Sequence, residues 1–377
     1  MIYLDNAATS FPKPEETIRA VHEFITVSGG NPGRGGHPLS IDAARIVFEA
    51  REKLTLFVNG KNSERMIFTQ NGTESLNLAI LGLLSKGDHV VTTALEHNAV
   101  MRPLDYLMRE RGVEVTVVPC GASGKLDLTR LRRAVRRRTR AVIVNHGSNI
   151  IGTIQPLDQV REAIGKKVLV VDACQTVGNV PIDVEREGID VLCFSCHKAL
   201  FGIQGLGAVY LKSGVDPIPL KFGGTGSRSE DTKQPDILPD KYESGTPNTP
   251  GIAGLLGGLS FIERVGLDEI ARKKRIAAQK LLDGLRPLKR VRIYGEPDNG
   301  RRLPIILMNI EGVQPSDVAY ECNKAGICVR VGLHCAPVSH KTVGTFPEGA
   351  VRISPGYFTE DPEIERLTEV VKGIAGS

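Results

Sequence analysis

Short apolar runs alternate with helix-period patterns along the first 211 residues, and this alternation excludes most folds. The runs lie at 66–69, 89–93, 114–119, 141–145, 168–171, 191–194 and 208–211. Helical patterns occupy 14–27, 40–57, 73–84, 98–111, 127–136 and 157–164. Strands separated by helical crossovers build an α/β fold around a mainly parallel, doubly wound sheet; a β-sandwich or a helical bundle does not read this way. The texture changes between 221 and 250, where Gly, Ser, Thr, Asp and Pro dominate and no period shows. A loop of that length inside an enzyme is usually functional. Two long helical patterns follow, Thr249–Val265 and Leu267–Leu285. New strands are then expected near Val291–Tyr294, 305–310 and 329–331, with a last helix at 362–374. The tail reads as a smaller α+β domain, so the expected division is a large domain at 15–253 and a small one made of 1–14 and 254–377.

Ligands of open α/β sheets bind at the carboxyl ends of the strands. Asp172 directly follows one apolar run. Ser195-Cys196-His197-Lys198 follows the next, ahead of a glycine-rich stretch. A lysine that forms a Schiff base with pyridoxal phosphate, and an aspartate that pairs with the pyridinium nitrogen, are what that cofactor needs. The alternative is an ordinary surface lysine, but an apolar, glycine-flanked setting is uncommon for one.

Phosphate calls for a helix N-terminus with free N–H groups, small residues and hydroxyls. Thr69-Gln70-Asn71-Gly72-Thr73-Glu74-Ser75 offers this between a strand and a helix, though alone it is also an ordinary capped helix start. Ser195 and His197 supply further donors. His97 follows a strand and could stack on a ring, Gln175 could reach its phenolic oxygen, and Asn149 follows a third strand. Near the end come Arg330-Val331-Gly332-Leu333-His334-Cys335-Ala336-Pro337 and then Arg352. Arginine clamps carboxylates bidentately. A loop thiol beside arginines and a histidine suits a thiolate nucleophile, which makes Cys335 the candidate.

Composition removes other classes. The 377 residues are 41% hydrophobic and 24% charged, with 48 basic against 43 acidic groups and a net charge of +5. Such a balance does not imply nucleic acid, and the absence of tryptophan argues against base stacking. The arginine-rich run from Arg130 to Arg140 sits on a pattern with Leu128, Leu131 and Val135 at core spacing, so it reads as a solvated helix face. No apolar stretch is long enough for a membrane span. The opening residues carry no signal-peptide pattern, and seven cysteines make an odd number, so free thiols in a reducing cytoplasm are expected. Cys193 and Cys196 are spaced C-x-x-C without a second pair, so no metal site is expected.

Together these residues resemble the cysteine desulfurases, of the class V aminotransferase group within the fold-type I pyridoxal-phosphate enzymes. The similarity runs nearly end to end: Tyr3-Leu4-Asp5-Asn6-Ala7-Ala8-Thr9, Arg34-Gly35-Gly36-His37, Thr73-Glu74, Glu96-His97, Ser148-Asn149, Asp172, Gln175, Ser195 to Lys198, Gly245-Thr246-Pro247-Asn248, Arg330 to Ala336, and Arg352. The Arg330 to Ala336 string looks like the subgroup with a short, ordered catalytic-cysteine loop, which includes the selenocysteine lyases. The resemblance implies that Lys198 holds the cofactor and moves the substrate Cα proton, and that Asp172 keeps the ring nitrogen protonated. It also implies that His97 stacks on the ring, Gln175 touches the phenolic oxygen, and Thr73, Ser195 and His197 hold the phosphate beside Gly72. Thr246 would reach the phosphate of a second subunit, so a homodimer is implied. Arg352, with Asn149 and Arg330, would take the substrate carboxylate, and Cys335 would receive sulfur from L-cysteine as a persulfide. A sulfur-acceptor protein and iron–sulfur cluster assembly are then the implied destination. The chain departs from the pattern at Cys174, Cys196 and Phe201-Gly202-Ile203-Gln204-Gly205, where a proline is often found. L-Selenocysteine as substrate, a class V aminotransferase or lyase, and a non-catalytic sulfur relay are the alternatives.

Overall fold

A computed structural model of the chain describes residues 1–33, 35–228, 230–295 and 302–376; Arg34 of the resemblance lies outside them. In chain order the first elements are β1 (Ile2–Tyr3), α1 (Glu15–Thr26), α2 (Pro38–Phe57), β2 (Met66–Thr69), α3 (Gly72–Leu83), β3 (His89–Thr93), α4 (Asn98–Arg111) and β4 (Glu114–Val118). There follow α5 (Leu128–Ala134), β5 (Thr139–Asn145), α6 (Leu157–Ile164), β6 (Val168–Asp172), β7 (Val191–Ser195), β8 (Gly207–Leu211) and α7 (Thr249–Val265).

The seven expected strands form one sheet in the order β2-β8-β7-β6-β5-β3-β4. It is parallel except at β8, which runs against both β7 and β2. All strands but the edge strand β4 are almost wholly buried because helices cover both faces, one over a core including Leu54, Val144 and Phe194, the other including Leu76, Val90 and Ile143. Register sets the chemistry: Asn145 pairs with Asp172, Asp172 with Cys193, and Ser195 with Gly207. The carboxyl ends of β5, β6 and β7 thus end side by side.

The remaining elements are α8 (Leu267–Leu285), β9 (Val291–Tyr294), β10 (Ile306–Ile310), α9 (Pro315–Lys324), β11 (Ile327–Cys328), β12 (Arg330–Gly332), α10 (Pro337–Val343), β13 (Ala350–Ile353) and α11 (Asp361–Gly376). An antiparallel sheet β12-β13-β10-β9 packs on α8 and α11 through Leu281, Leu285, Ile306, Met308 and Leu367. The chain start joins the same core: β1 pairs with β11 in a separate two-stranded sheet, and Leu4 packs with Leu281 and Ile306.

Three sequence expectations need correction. A boundary at 253 would cut α7, whose Ile252, Leu255, Leu259 and Ile262 all belong to the large core; the cores part instead around α8. α5 stops at Ala134, so Arg136 and Arg138 leave the helix and both pair with Glu114 on β4 rather than lining a helix face. Finally, α9, α10, β11 and β13 are additional to the expected elements; α10 buries Ser339 and His340 and β13 buries Arg352, so polar residues interrupt the apolar pattern there. The segment between β8 and α7 holds no helix or strand among the described residues. It is nevertheless anchored, because Glu243 takes a two-pronged contact from buried Arg51, at 2.7 and 2.8 Å, and the Phe68 N–H at 2.7 Å. Among the described residues no helix is long and apolar enough to cross a membrane.

Candidate active site

A cleft of about 590 Å³ opens where the strands end. Gly72, Thr73, His97, Asn149, Asp172, Gln175, Ser195, His197 and Lys198 line it, together with Asn71, Asn145 and Cys174. β6 ends at Asp172, whose Oδ1 accepts the Cys174 N–H at 2.9 Å. β7 ends at Ser195, and the turn that follows carries Lys198. Phe201 closes that turn with its N–H on the Lys198 carbonyl at 3.1 Å, in a left-handed conformation (φ 58°) that non-glycine residues seldom adopt.

The N-terminal segment straps this turn down. The His197 carbonyl receives Lys13 Nζ at 2.8 Å, Thr9 Oγ1 at 3.1 Å and the Ser10 N–H at 3.2 Å. Gln175 Nε2 donates to the Ala7 carbonyl at 2.9 Å, and the Ala7 N–H reaches Ser354 Oγ at 3.0 Å. The Tyr3–Thr9 motif therefore welds the two domains at the cleft. Lys13 loses solvent in the process, which pushes its amine down to about 8.

α3 begins at the cleft floor. Asn71 caps it, its Oδ1 accepting the Glu74 N–H at 3.0 Å, so the first-turn N–H groups of Gly72 and Thr73 have no partner inside the helix. A Cβ on Gly72 would lie 2.4 Å from Cys174 Sγ and 2.7 Å from Ser195 Oγ. Only glycine leaves this cup open. His97 caps α4: its Nδ1 accepts the Ala99 N–H at 3.0 Å, which leaves Nε2 as the protonated nitrogen of the neutral ring. Burial, opposed by Asp172, lowers its pKa. Burial and the neighbouring Lys198 push His197 down to about 4, and its Nδ1 is buried without a partner. Behind His97, Glu96 is fully buried and pushed up to about 8, its carboxyl accepting Thr93 Oγ1 at 2.7 Å and the Asn145 N–H at 2.9 Å.

The cysteine turn comes from the small domain. Cys335 is exposed, and its carbonyl accepts the Asn98 N–H at 2.8 Å, one residue beyond His97. Asn149 Nδ2 donates to the His334 carbonyl at 2.9 Å. Arg352 on β13 is 2% exposed and reaches the Asn149 carbonyl at 2.9 Å and Asp5 Oδ1 at 2.7 Å. Its Nε and the Asn149 Oδ1 remain unpartnered.

The structure thus gathers nine of the expected residues into one cleft, while Arg330, Cys335 and Arg352 sit just outside its lining and Thr246 does not join it. Thr246 borders a separate groove of about 1650 Å³ with Thr69, Gln70, Arg51 and Phe48. Sequence reasoning missed Asp5 as the partner of Arg352 and Ser354 as the bracket for Ala7. Asp5 lay inside a quoted motif but was given no role.

A ring with a phosphate fits this set. The cup at Gly72 has room for an anion beside unpaired N–H donors and two hydroxyls. Asp172 offers a carboxylate at a neighbouring strand end, and the orphaned polar atoms of His197, Asn149 and Arg352 await a partner. Fold and cleft together define the fold-type I pyridoxal-phosphate enzymes. Within them, the chain belongs to the class-V aminotransferase family, which it matches over residues 2–367. Members of this family use pyridoxal 5'-phosphate.

Over its full length the chain is 35% identical to a probable cysteine desulfurase of Methanothermobacter thermautotrophicus, 95% of which is covered. It is 34% identical to a cysteine desulfurase of Escherichia coli O127:H6, over 89% of this chain and 84% of that one. Among solved structures, a cysteine desulfurase from Thermococcus onnurineus superposes with a TM-score of 0.93 at 32% identity, covering all of this chain and 94% of the other.

Proposed function

We propose that the protein is a cysteine desulfurase: it converts L-cysteine to L-alanine and leaves the sulfur as a persulfide on Cys335 for an acceptor. The observation that carries this reading is the tether of an exposed thiol beside the Lys198–Asp172 cleft, by the Asn98 N–H on the Cys335 carbonyl and the Asn149 amide on the His334 carbonyl. The names of the relatives agree with it.

In this reading Lys198 carries the cofactor and moves the proton at the substrate Cα. Asp172 pairs with the ring nitrogen. His97 stacks on the ring, with its Nε2–H free to move a proton. Gln175, already giving one amide proton to Ala7, keeps another for the phenolic oxygen. Gly72, Thr73, Ser195 and His197 hold the phosphate. Arg352, Asn149 and Arg330 receive the substrate carboxylate, for which the unpaired Arg352 Nε is available. Bound here, pyridoxal phosphate supplies an electron sink that makes the Cα proton of an amino acid removable. The Cys335 thiolate then takes the sulfur as the Cβ–S bond breaks, and the substrate carbon skeleton takes a proton to leave as alanine.

A homodimer would bring the partner's copy of Thr246 to the phosphate, and the groove holding Thr246 beside exposed Phe48 suits such a face. Seven free thiols suit the reducing cytoplasm. Selenocysteine would meet the same residues. The test is to incubate the yellow protein with L-cysteine and a thiol and to measure alanine and sulfide together, with a parallel run on L-selenocysteine. Equal amounts of alanine and sulfide are expected. Amino transfer to a keto acid without sulfide would overturn the assignment.

A further inference from the structure

His334 and Cys335 are consecutive non-glycine residues in the left-handed region, at φ 49° and 56°. Such a pair persists only where the surroundings over-determine it. Two of its anchors are backbone tethers already described. The third is a line of side chains beneath the turn. His334 Nδ1 lies 3.1 Å from His340 Nε2, and the rings stack with centroids 5.3 Å apart at 15°. His340 Nδ1 lies 2.7 Å from Thr345 Oγ1, and His334 Nε2 lies 3.4 Å from the Arg330 carbonyl. Both rings are buried.

The proton positions follow from the end of the line. A carbonyl only accepts, so His334 Nε2 carries a proton. A neutral His334 then accepts at Nδ1, His340 donates from Nε2, and His340 Nδ1 accepts from the Thr345 hydroxyl. Every member gives in one direction, from Thr345 to Arg330. Burial pushes His334 down to about 3 and His340 to about 4, which keeps both rings in the neutral form that this line requires. The seven-residue helix α10 starts at Pro337 and carries His340 back beneath His334, with the His340 N–H on the Ala336 carbonyl at 3.0 Å.

We propose that His340 is a positioning residue for Cys335: through His334 it holds the left-handed turn that aims the thiol, and it does so by accepting at one end and donating at the other. The proposal rests on Cys335 being the sulfur acceptor. Glutamine also accepts and donates; leucine does neither.

The test uses full-length holoprotein carrying His340→Leu, His340→Gln or Thr345→Val. Three readings are taken: the spectral response to L-cysteine, the single-turnover rate of persulfide formation on Cys335, and the alkylation rate of Cys335 by iodoacetamide without substrate. His340→Leu is expected to slow persulfide formation by roughly tenfold to a hundredfold, the scale of a misplaced reacting group, with half-saturating cysteine unchanged. Its alkylation rate shifts as well. His340→Gln restores both rates. Should His340→Leu not fold, Thr345→Val still removes the donor to His340 and is expected to slow persulfide formation several-fold. A persulfide rate in His340→Leu or Thr345→Val equal to wild type overturns the proposal, as does His340→Gln falling as far as His340→Leu. A wild type that forms no persulfide sinks the desulfurase reading instead. The alkylation rates then decide the positioning role alone, with equal rates in His340→Leu and wild type counting against it.

Discussion

The turn carrying Lys198 and the turn carrying Cys335 are both left-handed at a non-glycine residue, yet they are secured differently. The lysine turn grows from a buried strand, closes on itself through backbone bonds such as Gly202 N–H to the Cys196 carbonyl at 3.0 Å, and is strapped by the N-terminal segment. The cysteine turn also closes on itself, with the Ala336 N–H on the Leu333 carbonyl at 2.8 Å, but it hangs from a three-residue strand of the small domain and is held to its surroundings by single contacts to Asn98, Asn149 and His340. In the proposed function, the group that keeps a covalent partner in register sits on the rigid sheet. The group proposed to meet substrate sulfur on one side and an acceptor on the other sits on a tethered edge, exposed.

The contrast can be broken in stages. Lys198→Ala removes the amine that the cleft is built around; complete loss of the visible cofactor band and of turnover is expected, and a spectrophotometer checks it. Gly72→Ala comes next, since its Cβ would meet Cys174 Sγ at 2.4 Å. Overpacking of this kind costs about 1–3 kcal/mol, or roughly tenfold to a hundredfold in cofactor affinity by titration. Adding Cys174→Ala should recover part of that loss, the Ser195 contact remaining.

A smaller effect is set by pH. Burial pushes His146 down to about 4, as it does His340, while His334 falls to about 3. Their unfolded value is 6.5. The unfolded chain therefore binds protons first as the medium acidifies, so their stabilisation is complete above 6.5 and is lost as pH falls toward 4. Glu96 opposes them: its folded pKa of about 8 exceeds the ordinary 4.5, so its contribution is complete below 4.5 and is lost as pH rises toward 8. Each group moves stability by about 1.4 kcal/mol per pH unit within its window. With four rings, His197 being pushed down to about 4 by burial in the same way, against the Glu96 carboxyl, the melting temperature should fall steadily from pH 6.5 to 4.5, and less steeply in His146→Gln. A flat profile would contradict the buried neutral rings. The smallest effect is expected at the surface, where Arg132 pairs with Glu162 at 3.5 Å with both side chains exposed. Arg132→Ala should change unfolding free energy by less than about 1 kcal/mol.

What could be read from the sequence follows the same division. Asp172, Ser195 and Lys198 each sit at or just past the end of an apolar run, so strand periodicity and the rule of carboxyl-end binding locate them. Thr73 and Gly72 announced themselves as a helix start. The small domain gave no such handle. α10 turns Ser339 and His340 inward and β13 buries Arg352, so neither shows an apolar period. The Arg352–Asp5 pair joins opposite ends of the chain, and the His334–His340 stack depends on how one short helix folds back. Contacts between side chains far apart in sequence leave no local pattern, and so Asp5 and His340 had to be found in the structure.

The most direct test follows sulfur itself. Holoprotein is exposed to one equivalent of L-cysteine without reductant, digested, and each cysteine-containing peptide is weighed, with Cys335→Ala treated alongside. The expected result is one added sulfur atom on the peptide containing Cys335, matched by an equal amount of alanine, and none in the variant, whose cofactor absorbance stays at the wild-type level. Sulfur on another thiol such as Cys174, or full turnover by Cys335→Ala, would contradict the role given to the tethered turn.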